Sequence, residues 1–223
     1  MIHIERSKEA PLALTASKAR DRYRHDEVVN RLRADSYGKC YICEIGPVQD
    51  PEVEHRLPHK GGRYPERMYD WHNLFYSCGH CNKVKNKQKY DSGIIDCCAR
   101  DPELLLEQEL TGDDVTVRVL NEDDKEARLT AQLIEEVFTS ESKPLRTHAS
   151  DVRLKELQRQ MNLLYSSLSE YETNRDDFVA RRTVRTMLRS EAPFAGFARC
   201  YVRKHLDVYP EFEVYLPRAS CND

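Results

Sequence analysis

Cys78-Gly79-His80-Cys81-Asn82-Lys83-Val84-Lys85-Asn86-Lys87 is the stretch on which the fold turns. Two residues between cysteines is the spacing that lets both sulfurs of a turn face one tetrahedral ion. A matching pair stands upstream in Cys40-Tyr41-Ile42-Cys43, so four soft thiolates are available for one structural Zn²⁺. The gap between Cys43 and Cys78 exceeds the usual zinc-ribbon interval, which means that a functional insert is clamped between two knuckles closed by the same metal.

A disulfide framework is the competing account of the eight cysteines. The beginning Met1-Ile2-His3-Ile4-Glu5-Arg6 is charged from the start and has no apolar run of the secretory kind, so the expected compartment is the cytoplasm, where thiols stay reduced. No segment has the length and apolarity of a membrane span. Cys97, Cys98, Cys200 and Cys221 lack a matching pair and read as core packing or chance. Charged residues make up 33% of the chain and apolar ones 39%, with a mean hydropathy of -0.75, which suits a strongly solvated globular protein rather than a disordered one. The formal net charge of -3 is unlike that of a protein that coats nucleic acid, so phosphate binding requires a local basic patch.

Between the cysteine pairs lie Val53-Glu54-His55-Arg56-Leu57-Pro58-His59-Lys60-Gly61-Gly62 and Asp70-Trp71-His72-Asn73-Leu74-Phe75-Tyr76. Glu54-His55, Asn73-Leu74 and Cys78-x-x-Cys81-Asn82 match, in order and spacing, the module of HNH, or ββα-metal, endonucleases, which this region resembles. The resemblance implies a hairpin whose first strand ends in the acidic residue and His, a second strand opened by Asn-Leu, and a helix begun at Cys-x-x-Cys-Asn. It also implies hydrolysis of phosphodiester bonds in nucleic acid, with DNA as the default substrate and RNA such as tRNA as the alternative. In that scheme His55 is the general base, Glu54 and Asn82 are oxygen ligands to a catalytic Mg²⁺ or Mn²⁺, and Asn73 orients the hairpin. His72 and His80 read as solvated turn residues. His59 either supports the hairpin loop or touches substrate. Lys83, Lys85, Lys87 and Lys89 follow the last ligands without an intervening acid, and Lys83 and Lys87 are the expected phosphate contacts.

Outside the module, residues 12 to 34 carry apolar residues at roughly helical spacing and predict one amphipathic helix. Val115-Thr116-Val117-Arg118-Val119-Leu120 alternates as one strand, and helical patterns run near 123 to 139, 150 to 171, 174 to 190 and 193 to 206, broken at Lys143-Pro144 and Ala192-Pro193. The tail 219 to 223 reads as unstructured. The expected fold is therefore α+β and mainly α, in three parts: an N-terminal segment and helix (1–36), the zinc-containing module (37–101) and a mainly helical domain (102–223) expected to dock a partner.

This order is similar to that of the PtuB family, the nuclease subunits of Septu-type bacterial anti-phage systems. That likeness implies an ABC-type ATPase partner of the PtuA kind and, in some systems, a retron reverse transcriptase with its msDNA. The chain has no Gly-rich phosphate loop of its own, so nucleotide binding falls to such a partner. A catalytically silent zinc-binding adaptor is the rival reading; it accounts for the cysteines but not for Glu54, His55, Asn73 and Asn82 together.

Overall fold

The computed structural model describes residues 1–16, 21–139 and 144–217. The architecture is α+β and mainly helical, with two small antiparallel sheets. In chain order the elements are α1 (Leu12–Ala16), α2 (Asp26–Asp35), β1 (Pro51–His55), α3 (Pro65–Met68), β2 (Leu74–Cys78), α4 (Gly79–Lys85), β3 (Leu106–Thr111), β4 (Asp114–Val119), α5 (Lys125–Thr139), α6 (Pro144–Thr173), α7 (Phe178–Met187) and α8 (Ala195–Lys204).

β1 pairs with β2 in a register that sets Glu54 opposite Phe75 and His55 opposite Leu74. α4 follows β2 without a linker, so the second cysteine pair straddles the strand-to-helix junction. Every residue of β2 is buried, because one face lies against the main core and the other beneath the N-terminal helices. Phe75 belongs to the first cluster, while Leu74 and Tyr76 belong to the second with Leu14, Tyr23, Val28, Leu32 and Trp71. Alternation along a strand produces this division.

The single helix expected over residues 12 to 34 is replaced by α1, a short 3₁₀ turn at Arg22–Arg24, and α2. His25 is extended (φ -61°, ψ 142°), and its Nδ1 accepts a hydrogen bond from the Glu27 amide at 3.2 Å, so it caps α2. The interruption lets Tyr23 turn inward onto the hairpin. Residues 17 to 20, within the predicted span, lie outside the described residues, as does the tail from 218 onward.

β4 matches its predicted span to within a residue, but its partner β3, Leu106–Thr111, goes unread in the sequence. Leu-Glu-Gln-Glu-Leu-Thr carries three polar residues in a row, and its pairing depends on the turn at Gly112-Asp113, where Gly112 takes φ +61°. The helical half follows the predicted order. Pro144 begins α6 instead of merely breaking the chain, as proline's fixed φ permits in a first turn. The main core runs without interruption from Cys40, Phe75, Val84 and Ile95 of the module to Leu133, Leu164, Phe197 and Phe212 of the helical half. Among the described residues no helix is long and apolar enough to cross a membrane.

Candidate metal centre and catalytic cleft

Cys40 and Cys43 sit in the turn before β1, Cys78 closes β2, and Cys81 lies in the first turn of α4. All four are buried, and their Sγ atoms lie within 4.8 Å of one another. A tetrahedral zinc with Zn–S bonds of about 2.3 Å spaces its sulfurs about 3.8 Å apart. Cys43 Sγ and Cys78 Sγ are already 4.0 Å apart, far beyond a disulfide. The four thiols therefore fit a structural zinc as the sequence predicts.

Two groups outside the cysteines support them. Ser77 Oγ lies 3.6 Å from Cys40 Sγ, and Arg153 of α6 donates from Nη2 to Cys78 Sγ at 3.0 Å. Hydrogen bonds from the three neighbouring thiols, helped by the Arg153 charge, hold the Cys78 thiol far below its ordinary range. Cys78 is thus the sulfur most ready to be a thiolate. Arg153 is itself only 8% exposed, so its charge is compensated by the sulfur cluster and not by water.

Next to this centre a cleft of about 320 Å³ opens between the end of β1, the loop after it and α4. His55, His59, Glu54 and Asn82 all line it, together with Tyr23, Arg24, Lys60, Lys85 and Asn86. The predicted base and both predicted metal ligands are thus brought to one place. His55 Nε2 lies 3.1 Å from the Met68 carbonyl oxygen, which can only accept, so Nε2 carries the proton and Nδ1 keeps the lone pair of a neutral ring. Burial pushes the His55 pKa below its ordinary value, opposed by the Met68 bond and reinforced by nearby His59. The imidazole is consequently neutral near pH 7.

Asn73 builds the wall behind that ring. Its Oδ1 accepts from the Leu57 amide at 2.7 Å, and its Nδ2 donates to the carbonyls of Leu57 at 2.9 Å and Arg67 at 2.8 Å. Arg67 immediately precedes Met68, so one buried amide fixes both the loop leaving His55 and the carbonyl that holds its ring. These contacts suit the orienting role expected of Asn73. His59 accepts from Gly62 N through Nδ1 at 3.1 Å and meets His55 edge-on with centroids 4.7 Å apart. It supports the loop and also faces the cleft.

Three expectations are modified. Glu54 is only 4% exposed, and both its oxygens are engaged: Lys85 Nζ donates to Oε1 at 2.6 Å and the Tyr41 hydroxyl donates to Oε2. Lys85 also donates to the His55 carbonyl at 3.0 Å. Glu54 thus lines the cleft already paired with an ammonium. Asn82 donates its Nδ2 to Glu52, which leaves its Oδ1 as the atom available to a cation. The predicted phosphate contacts also shift. Lys87 and Lys89 both turn to Glu136 on α5, and Lys83 is exposed outside the cleft lining. Two features are the reason: Asn82 and Lys85 share one face of α4 at i and i+3 while Lys83 projects elsewhere, and Lys87 lies past the end of the helix, where the chain is extended. The basic residues that do line the cleft are Arg24, Lys60 and Lys85.

His80 is not a solvated turn residue: its Nε2 lies 3.0 Å from the Val137 carbonyl, close to Ser150 Oγ at 3.5 Å, and ties α4 to α5. His72 is exposed as predicted. Cys97 and Cys200 are buried and Cys98 half-buried, in keeping with core packing, and Cys221 lies outside the described residues. Asn86, Lys85 and Tyr23 were missed as cleft residues. The first two were legible from their helical spacing to Asn82, while Tyr23 depends on the break before α2. Compared with family models and with curated proteins, the chain matches none.

Proposed function

We propose that this chain is a metal-dependent endonuclease of the HNH type, hydrolysing phosphodiester bonds in nucleic acid, with DNA as its default substrate. The observation that carries the proposal is the seating of His55: its Nε2 lies 3.1 Å from the Met68 carbonyl oxygen, and the ring lines a cleft that also holds Asn82 and three basic side chains. In this reading Nδ1 of His55 accepts the proton of the attacking water. Arg24 at the cleft offsets the charge of the phosphodiester, with Lys60 beside it already paired to Asp91. Asn73 keeps the ring from rotating, so the base needs no reorganisation as the proton moves.

A Mg²⁺ or Mn²⁺ held by Asn82 Oδ1 and Glu54 would supply Lewis-acid polarisation of the phosphate and stabilise the leaving oxygen. The donor set is oxygen, as such hard cations require, and Lys85 is the ammonium that a cation at Glu54 competes with. The zinc cluster, all sulfur and buried, is architectural: it joins the turn before β1 to the start of α4 and so fixes the distance between His55 and Asn82.

The resemblance to Septu-type nuclease subunits extends the proposal to an anti-phage effector licensed by an ABC-type ATPase. The test is cleavage of plasmid DNA and total tRNA by the purified chain, with and without such an ATPase, in Mg²⁺ or Mn²⁺ and in EDTA. Expected is metal-dependent cleavage that His55→Ala abolishes while zinc content and thermal stability stay unchanged. Full activity in that variant would sink the proposal, and a chain that binds nucleic acid without cutting it under any of these conditions is the adaptor instead.

A further inference from the structure

Far from the cleft in sequence, α7 presents a surface that the catalytic reading does not use. Its inner residues Ala180 and Val184 are buried, yet Phe178 and Val179 at its start are 69% and 71% exposed, and Leu163 of α6 beside them is 48% exposed. These side chains, with Met187 and Pro193, border a groove of about 700 Å³. A second depression of about 450 Å³ shares Phe178, Arg182 and Arg189 with it and adds Arg185 and Tyr215. Large apolar side chains grouped at a surface and rimmed by charge mark an interaction site more often than a solvated face.

The charges say what kind of partner fits. Arg182 and Arg185 stand one turn apart on α7, at i and i+3, and Arg189 follows just beyond its last residue, Met187; all three line the second depression. The Arg182 carbonyl accepts from the Thr186 hydroxyl at 2.9 Å, but among the described residues its guanidinium has no ion pair or hydrogen-bond partner. Arg185 rests on the Tyr215 ring at 4.8 Å, and Arg189 pairs only with the exposed Glu191 at 3.3 Å. We propose that this groove docks an acidic amphipathic helix of a partner protein, whose apolar face fills the groove while its carboxylates meet Arg182, Arg185 and Arg189 at the rim. A nucleic-acid strand would satisfy the arginines but would lay its phosphates against Leu163, Val179, Met187 and Pro193. The aliphatic wall therefore favours protein.

The groove also leans on the metal module. Lys39, next to Cys40, donates from Nζ to the carbonyl of Ala192 at 2.8 Å, and the Glu44 carbonyl accepts from the Phe194 amide at 3.4 Å. A helix seated against Ala192 and Pro193 thus touches the segment that braces the first cysteine pair.

The test uses the full-length, zinc-loaded chain and a fluorescein-labelled helical peptide with leucines on one face and glutamates flanking them at i, i+3 and i+7. Saturable binding by anisotropy is expected, weakened about tenfold or more by Arg182→Glu and separately by Val179→Asp, with zinc content and Tm unchanged. Exchanging for lysine only the peptide glutamate that faces position 182 should restore binding to R182E and weaken it for the wild type. Absent binding, or binding indifferent to both substitutions, overturns the proposal. So does an oligothymidylate that binds wild type and is lost in R182E, which makes the arginine rim a nucleic-acid contact. A concentration-dependent dimer lost in V179D overturns it in favour of a second copy of this chain.

Discussion

Replacing Arg153 by methionine removes one of the few polar groups that reach the cysteine cluster from outside the module. The guanidinium donates to Cys78 Sγ at 3.0 Å through Nη2 and is anchored by Nη1 on the Ala149 carbonyl of its own helix at 2.7 Å. Methionine keeps most of the length and the apolar stem, so packing against the core is conserved while the donor and the charge are lost. A hydrogen bond to a charged group contributes about 1.5–3 kcal/mol, and each 1.4 kcal/mol is about tenfold in an equilibrium constant. Zinc affinity should therefore fall about 10- to 100-fold, the range in which outer residues of metal sites ordinarily act. The assay is competition with a chromogenic zinc chelator at neutral pH, followed by metal content of the recovered protein. Arg153→Lys should fall between the two, since it restores a charge without the anchored fork. Zinc retention in Arg153→Met within twofold of wild type would refute the reasoning, because it would mean that the thiolates need no outside charge.

Other perturbations follow from the cleft. Asn73→Ala strands the Leu57 and Arg67 groups that it joins, and should cost about 3 kcal/mol, a fall in Tm of about 6–12 °C by thermal denaturation at saturating zinc. Lys85→Met leaves Glu54 buried without its cation, so stability should drop by about 3–5 kcal/mol. Added Mn²⁺ should then raise the Tm of this variant more than that of wild type; equal shifts would remove Glu54 from the metal site. Because burial lowers the His55 pKa, its ring stays deprotonated below pH 6.5, so with His55 as the proposed base kcat/KM should hold there and fall only as pH passes through the lowered value. An acid limb at or above 6.5 would contradict the burial argument.

The parts legible in the sequence were those set by short-range chemistry. Cys40, Cys43, Cys78 and Cys81 converge because their spacing already encodes two knuckles, and the C-terminal helices follow their periodicity because each packs one apolar face into a continuous core. The Val115–Leu120 strand was visible through its alternation. β3 was not, because Glu107, Gln108 and Glu109 hide the same alternation, and only pairing across Gly112 exposes Leu106 and Leu110 as its apolar members. Tyr23 escaped for a related reason. A helix-like pattern over 12 to 34 gives no warning that His25 caps a new helix and turns Tyr23 onto His55, with ring centroids 4.9 Å apart.

The lysine run shows where spacing alone misleads and where it could have been used better. Four lysines at alternating positions look equivalent as a string, but α4 separates Lys83 from Lys85 by face and ends there, and α5 supplies Glu136, which takes Lys87 and Lys89. The lysine that reaches the cleft is the one in register with Asn82, and it does so by crossing to Glu54 on β1. The family resemblance implies a divalent cation at Glu54, and the structure has the Lys85 ammonium there. This makes Lys85 the residue through which the proposed metal site can be probed independently of any cleavage. If Mn²⁺ binding and Lys85 pairing prove mutually exclusive, the carboxylate has two partners in one position. If both are retained together, the metal takes Asn82 and water alone, and Glu54 serves the hairpin.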